Sequence, residues 1–213
     1  MKLDTARSIV EQDLGNMCRQ LEHELGTIGG QKLLITGGAG FLGYYLVQVI
    51  DFWNREFQPS RSIELTVFDN FMRGLPEWLS RLKDESRLKL AAHDITKPLP
   101  EDMDDDIAFI IHAATIASPT FYRKHPIETM DANVNGLRHL LDYMERQATR
   151  GKYSPGGFLF YSSSEVYGDP AADRIPTAED YNGNVSFTGP RACYDESKRY
   201  GETLCVNFAR QYD

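Results

Sequence analysis

The sequence predicts an α/β fold, a doubly wound parallel sheet with helices on both faces, and three observations carry that expectation. The run Leu33-Leu34-Ile35-Thr36 breaks into a glycine cluster, Gly37-Gly38-Ala39-Gly40-Phe41-Leu42-Gly43, and continues as an apolar helix to Trp53. Apolar runs recur at 63–68, 88–92, 107–111 and 158–161, with helical or polar stretches between them. Continuous aliphatic runs of this length are the mark of strands covered on both faces, as parallel strands are.

Gly37, Gly40 and Gly43 follow the spacing G-x-x-G-x-x-G at a strand-to-helix turn. Glycine there lets the backbone turn sharply, lets a pyrophosphate approach bare N–H groups at a helix N-terminus, and lets the helix pack close to the strand. A glycine turn alone is weak evidence. The second apolar run, Ile63 to Phe68, ends in Asp69 at about the distance where a carboxylate accepts hydrogen bonds from an adenosine ribose. Together they predict a dinucleotide site, and Asp69 favours NAD over NADP because a carboxylate repels a 2'-phosphate. Arg73 lies close enough to temper that preference.

Composition narrows the alternatives. A chain of 213 residues, 41% hydrophobic and 11% aromatic, has enough apolar surface for a globular core. A net charge of -8 argues against general nucleic-acid binding, which draws on clustered Lys and Arg. Cys18, Cys193 and Cys205 are odd in number and scattered, as reduced thiols in a cytoplasmic protein are. The five histidines, at 23, 93, 112, 125 and 139, have no paired ligand spacing, so no metal site is expected. The acidic run Asp102, Asp104, Asp105 and Asp106 reads as a solvated loop. The N-terminus has no signal-peptide pattern, and the most apolar stretch, Leu33 to Ile50, is broken by glycines, so no membrane span is expected.

In chain order, residues 1–30 form an N-terminal helical extension: Ile9, Val10, Leu14, Met17, Leu21 and Leu25 recur at helical spacing, and Gly26, Gly29 and Gly30 end the helix. Residues 31–213 form the dinucleotide-binding domain. Within it, Asn54 to Arg61 reads as a polar loop, Pro76 to Lys83 as a short helix, and the stretch after 107–111 runs into His112-Ala113-Ala114, small residues against which a cofactor could lie. Ser118 to His125 reads as an open loop in which Tyr122 or Arg123 either contacts a substrate or simply packs. Glu128 to Gln147 reads as one long helix, followed by a glycine-bearing linker at Gly151 to Gly157.

The last strand delivers Ser162-Ser163-Ser164-Glu165 to the carboxyl edge of the sheet, where open parallel sheets bind ligands. Some thirty residues on, Tyr194-Asp195-Glu196-Ser197-Lys198 places a tyrosine and a lysine four apart, on one helix face. A tyrosine of pKa about 10 is a poor base at neutral pH, and a neighbouring ammonium is expected to bring it toward the working range.

With these motifs in this order, the chain from about residue 31 onward resembles the extended short-chain dehydrogenase/reductases, in the NAD-dependent nucleotide-sugar epimerase and dehydratase group, which have a Rossmann-like fold. The segments Ser164-Glu165-Val166-Tyr167-Gly168-Asp169-Pro170 and Gly189-Pro190-Arg191-Ala192-Cys193-Tyr194-Asp195-Glu196 are most similar to UDP-glucuronate decarboxylases. Those enzymes oxidise C4 of the sugar with bound NAD, lose CO2 from the β-keto acid and return the hydride. The resemblance implies a catalytic set of Tyr194, Lys198, Glu165, Ser163 and Ser164. Tyr194 would be the base on the 4-hydroxyl, Lys198 its pKa partner and a ribose ligand, Ser163 a holder of the sugar hydroxyl, and Glu165 an aid to orientation or proton transfer. It implies NAD contacts from Gly37, Gly40, Phe41, Leu42, Gly43, Asp69, Asn70, Asp94, Ile95, Ala113, Ala114, Thr115 and Asn133, together with Tyr194 and Lys198.

The outcome of the reaction stays open among decarboxylation, 4-epimerisation and 4,6-dehydration. Ser164 stands where the dehydratases carry an Asp, which argues against dehydration. The resemblance also implies a UDP-sugar substrate and a homodimer joined through the Tyr/Lys helix, whose Tyr200, Leu204 and Phe208 recur every four residues. Such enzymes continue into a smaller sugar-binding domain, so the chain reads as truncated before it. The alternatives are a fragment of a longer enzyme and a catalytically silent NAD-binding scaffold.

Overall fold

The computed structural model describes residues 2–83, 88–103, 106–150 and 155–212. Asp104 and Asp105 of the acidic run, and Gly151 of the linker, lie outside the described residues. Five parallel strands form one sheet: β1 (Lys32–Thr36), β2 (Glu64–Asp69), β3 (Leu88–Ala92), β4 (Ile107–His112) and β5 (Gly157–Phe160), in the order β3-β2-β1-β4-β5. The order reverses between β1 and β4, and this is the Rossmann arrangement whose crevice opens at the carboxyl ends of those two strands.

The aliphatic run of β1 is buried on both faces because it feeds two cores. Leu33 and Ile35 pack with Val47, Ile50, Trp53, Leu65 and Val67, while Leu34 packs with Phe68, Ile110, Leu140 and Tyr143. The first core lies under α3 (Phe41–Phe52), the helix that leaves the glycine turn, and the second under α7 (Leu137–Arg150). Each buried Leu or Ile contributes about 1.5–3 kcal/mol.

The N-terminal segment differs from the single striped helix expected. It folds as α1 (Lys2–Gln20) and α2 (Glu22–Ile28), broken at Leu21, so one apolar stripe cannot stay on one side. Leu14, Cys18 and Leu25 are buried in the α3 core, whereas Ile9 and Leu21 are exposed. The Cys18 thiol donates to the Val49 carbonyl of α3 at 3.7 Å, and burial pushes its pKa up to about 11. Gly26 lies inside α2, and the turn into β1 falls at Gly29 and Gly30.

Three further boundaries moved for identifiable reasons. The helix after the glycine turn runs on as a π-turn over Trp53–Phe57, where Asn54 grips the Ile63 backbone at both N–H (2.7 Å) and carbonyl (2.8 Å). The expected open loop at 118–125 contains α5 (Pro119–Lys124), with Pro119 at its first position. The expected long helix is α6 (Pro126–Asp131) joined to α7 through a π-turn at Ala132–Gly136. At that turn Gly136 abuts Ile95, which an added Cβ would meet at 2.9 Å. Glu77–Leu82 forms α4, and Ala192–Tyr212 forms α8 against α6, α7 and β5. Among the described residues no helix is long and apolar enough to cross a membrane.

Candidate active site

The glycine turn is built from backbone. Gly37 sits at φ 77°, and a Cβ there would lie 2.7 Å from the Cα and N of Ala114, so the turn after β1 rests directly on the turn after β4. Only glycine combines that φ with that approach. Thr36 Oγ1 and His112 Nδ1 lie 2.7 Å apart beneath the two turns and tie the strand ends together. Asp69 braces the loop from β2: one carboxylate oxygen accepts the Ala39 N–H at 3.0 Å and the other the Phe71 N–H at 2.8 Å. Asn70 accepts the Met72 N–H at 3.0 Å, and Asp94 accepts both the N–H and hydroxyl of Thr96. Ile95 is buried, while Phe41 and Leu42 are exposed at the start of α3.

These residues fit a bound dinucleotide. The N-terminus of α3 carries no side-chain cap at Gly40, so its first N–H groups face the turn unsatisfied by side chains. Thr115 Oγ1, just past Ala113-Ala114, is buried without a hydrogen-bond partner. A hydroxyl orphaned beside two interlocked glycine and alanine turns is what a ligand would satisfy.

The tyrosine end is built from side chains brought together from distant elements. Ser163 caps the 3-10 turn Ser164–Tyr167 by accepting the Glu165 N–H, and its hydroxyl lies near enough to the Tyr194 phenol to work against the rise in its pKa. Ser164 is exposed. Tyr194 is buried in the first turn of α8 with its ring 5.2 Å from that of Tyr122. Lys198, 1% exposed, donates to the Tyr161 carbonyl at 2.6 Å, lies over the Phe160 ring at 4.6 Å and stands 5.9 Å from the Tyr194 ring centre. Asn133, on the π-turn, is fully buried and donates to Ser197 Oγ at 2.9 Å, and Ser197 donates to the Tyr194 carbonyl at 3.0 Å.

The expected lowering of the Tyr194 pKa is not found. Burial raises it, the Ser163 hydroxyl works against that, and Asp195 and Tyr122 add to the rise. Burial also brings Lys198 down to about 8. The physical reason is common to both: desolvation penalises phenolate and ammonium alike, and it outweighs their attraction.

Several pairings at the site are not legible in the sequence, although Asn133 and Tyr122 are among its candidate residues. Arg191 pairs with Glu165 and reaches Asp195 at 3.5 Å, linking the serine turn to α8. Its place three residues before Tyr194 was visible, but the partner was not. Ser197 and Asn133 are 64 residues apart, too far for any local pattern to pair them. His112 is buried and neutral, its pKa brought down to about 3 by burial and the nearby Lys198. Tyr122 supports Tyr194 from a stretch expected to be loop. Among the described residues no group of three or more metal-ligating side chains assembles. A cavity of about 450 Å³ beside α8 is lined by Val166, Tyr181, Arg199 and Tyr200 among others, and not by Tyr194 or Ser163.

A Rossmann sheet with an open glycine turn at its reversal point and a tyrosine/lysine pair one helical turn apart at the same carboxyl edge defines a dinucleotide-binding domain of the short-chain dehydrogenase type. The chain belongs to the NAD dependent epimerase/dehydratase family, whose model matches residues 33–213. It is 38% identical over 181 residues to UDP-glucuronic acid decarboxylase 6 of Arabidopsis thaliana, covering 85% of this chain and 47% of that protein. UDP-glucuronic acid decarboxylase 1 of Danio rerio is 37% identical, over 85% of this chain and 38% of its own length. The fold matches a dTDP-glucose 4,6-dehydratase from Streptomyces venezuelae, solved with NAD, at a TM-score of 0.67 and 22% identity, over 85% of this chain and 52% of that one. The chain spans under half the length of these curated relatives.

Proposed function

We propose that this chain carries the NAD-binding and catalytic part of a nucleotide-sugar-modifying enzyme that acts on UDP-glucuronate by oxidation at C4 and decarboxylation. The observation that carries the reading is the meeting of Ser163, Tyr194 and Lys198 at the edge where the glycine turn opens. The curated relatives support decarboxylation as the outcome. So does Ser164, which supplies no carboxylic acid at the position the dehydratases use.

NAD would be held by the turn Gly37 to Gly43, by Asp69 and Asn70, by Asp94 and Ile95, and by Ala113, Ala114 and Thr115 beyond β4. The chemistry it supplies when bound is a reversible store for the hydride at C4. The chain's own residues handle the proton. As the phenolate, the Tyr194 oxygen takes it from the 4-hydroxyl and becomes the phenol; the Ser163 hydroxyl favours that phenolate beforehand, and the Lys198 ammonium lends positive charge nearby. Burial around Tyr194 excludes water, so the nearby Ser163 hydroxyl weighs more than it would in solvent. Arg191 pairs with Glu165 and ties it to the start of α8.

Incubation of the protein with NAD and UDP-glucuronate is expected to release CO2 and form a UDP-pentose. Release of a 4-epimer instead, or formation of a 4-keto-6-deoxy sugar from UDP-glucose in a parallel incubation, would overturn the outcome assigned. Titration should show NAD binding more tightly than NADP, and the reverse order would sink the role given to Asp69. We further propose that two copies associate along α8, where Tyr200 and Val206 are exposed. Of the face expected from the sequence, Leu204 is partly buried and Phe208 lies under the Arg138 guanidinium at 5.3 Å. Sedimentation as a monomer at micromolar concentration would remove that assignment. The free thiols Cys18, Cys193 and Cys205, each with a pKa raised by burial, suit a reducing cytoplasmic setting.

A further inference from the structure

We propose that Tyr122 is a positioning residue for Tyr194: its ring, lying flat against the Tyr194 ring, holds the phenol where its hydroxyl meets Ser163. This rests on the assignment of Tyr194 as the base. Tyr194 stands in the first turn of α8, and its ring turns about two side-chain bonds unless something fixes the plane. The two rings are 5.2 Å apart at 9° to one another, an offset parallel stack of the kind aromatic pairs favour.

Tyr122 is itself immobilised. It is 2% exposed, within α5, and its N–H bonds the Ser118 carbonyl at 2.9 Å. The thiol of Cys193, the residue preceding Tyr194, donates to the Tyr122 carbonyl at 3.6 Å. Ring and backbone of one residue therefore grip two consecutive residues of α8, and α5 cannot shift without taking the phenol with it. The stack has an electrostatic side as well, because a second phenol beside Tyr194 disfavours the phenolate and adds to the rise that burial imposes.

The test compares Tyr122→Leu, Tyr122→Phe and Tyr122→Met in the whole chain, with thermal unfolding followed for each. The NMR signals of the Tyr194 ring protons, identified by their loss in Tyr194→Phe, should carry the ring-current displacement of a stacked partner in the wild type and in Tyr122→Phe. They should lose it in Tyr122→Leu and Tyr122→Met. With UDP-glucuronate, kcat should fall about 10- to 100-fold in the Leu and Met variants while KM and NAD affinity stay within about 3-fold, and Tyr122→Phe should restore kcat. Unchanged ring signals and kcat in both aliphatic variants would overturn the proposal. So would a rise in KM at constant kcat, which marks a substrate ligand. If the wild type turns over no nucleotide sugar, the reaction assigned above fails, while the ring signals still decide whether the stack exists.

Discussion

The two halves of the site are built by opposite means. The glycine turn is a backbone structure: Gly37 and Gly43 matter for the side chains they lack, and what shapes the turn lies within one strand, one turn and one helix, apart from the contact with Ala114 and the brace from Asp69. The tyrosine end depends on side chains contributed by α5, the π-turn, β5 and α8, joined by bonds such as Asn133 to Ser197 and Lys198 to the Tyr161 carbonyl. A backbone site tolerates no added atoms, whereas a side-chain site tolerates no lost ones. Substitutions at the two ends should accordingly fail in different ways.

The largest separation of chemistry from stability is expected from Tyr194→Phe. It removes the oxygen proposed to take the proton while keeping the ring against Tyr122, so turnover of UDP-glucuronate should drop about 10²- to 10⁴-fold. The thermal midpoint and NAD affinity should barely change. A matching loss of NAD binding would mean that the two ends are not separable.

Gly37→Val should do the reverse. A branched side chain at φ 77° against the Ala114 backbone is expected to cost about 2–4 kcal/mol and to abolish NAD binding, as read by chemical denaturation and cofactor titration. Wild-type affinity in a folded Gly37→Val protein would break the comparison at its backbone end.

His112 provides a pH test at the seam between the halves. Its pKa is about 3 folded against 6.5 unfolded, so the unfolded chain binds the extra proton between those values. Stability should therefore be lost as pH falls from about 6.5 toward 3, by up to a few kcal/mol. Replacement of His112 by Asn should flatten that limb of the stability profile. Lys198 acts with the same sign in a more alkaline window. With a folded pKa of about 8 against 10.5, the unfolded chain holds the extra proton between these values, so stability should rise with pH across that range. Turnover should decline over the same range as the ammonium is lost, and a flat rate profile from pH 7 to 10 would remove Lys198 from the chemistry.

The smallest effect belongs to Ser197→Ala. It leaves the Asn133 amide buried without its acceptor, at about 1–2 kcal/mol, and frees the link to the Tyr194 carbonyl. A modest fall in kcat with that loss would show the π-turn supporting the phenol, whereas a loss of stability alone would limit it to packing.

The sequence by itself determined the five strands, the glycine turn, Asp69 at the end of β2 and the pairing of Tyr194 with Lys198 on one helix face. These are decided by short-range rules: unbroken aliphatic runs, glycine where no Cβ fits, and the four-residue repeat of a helix. Only the tertiary structure decided that residues 118–125 hold a helix whose Tyr122 backs the phenol, that Arg191 engages Glu165, that Asn133 reaches Ser197, and that the N-terminal segment breaks at Leu21. It also reversed the expected direction of the Tyr194 pKa. Burial and long-range hydrogen bonds depend on what the rest of the chain places nearby, and a residue's sequence neighbours do not record how much water will be left around it.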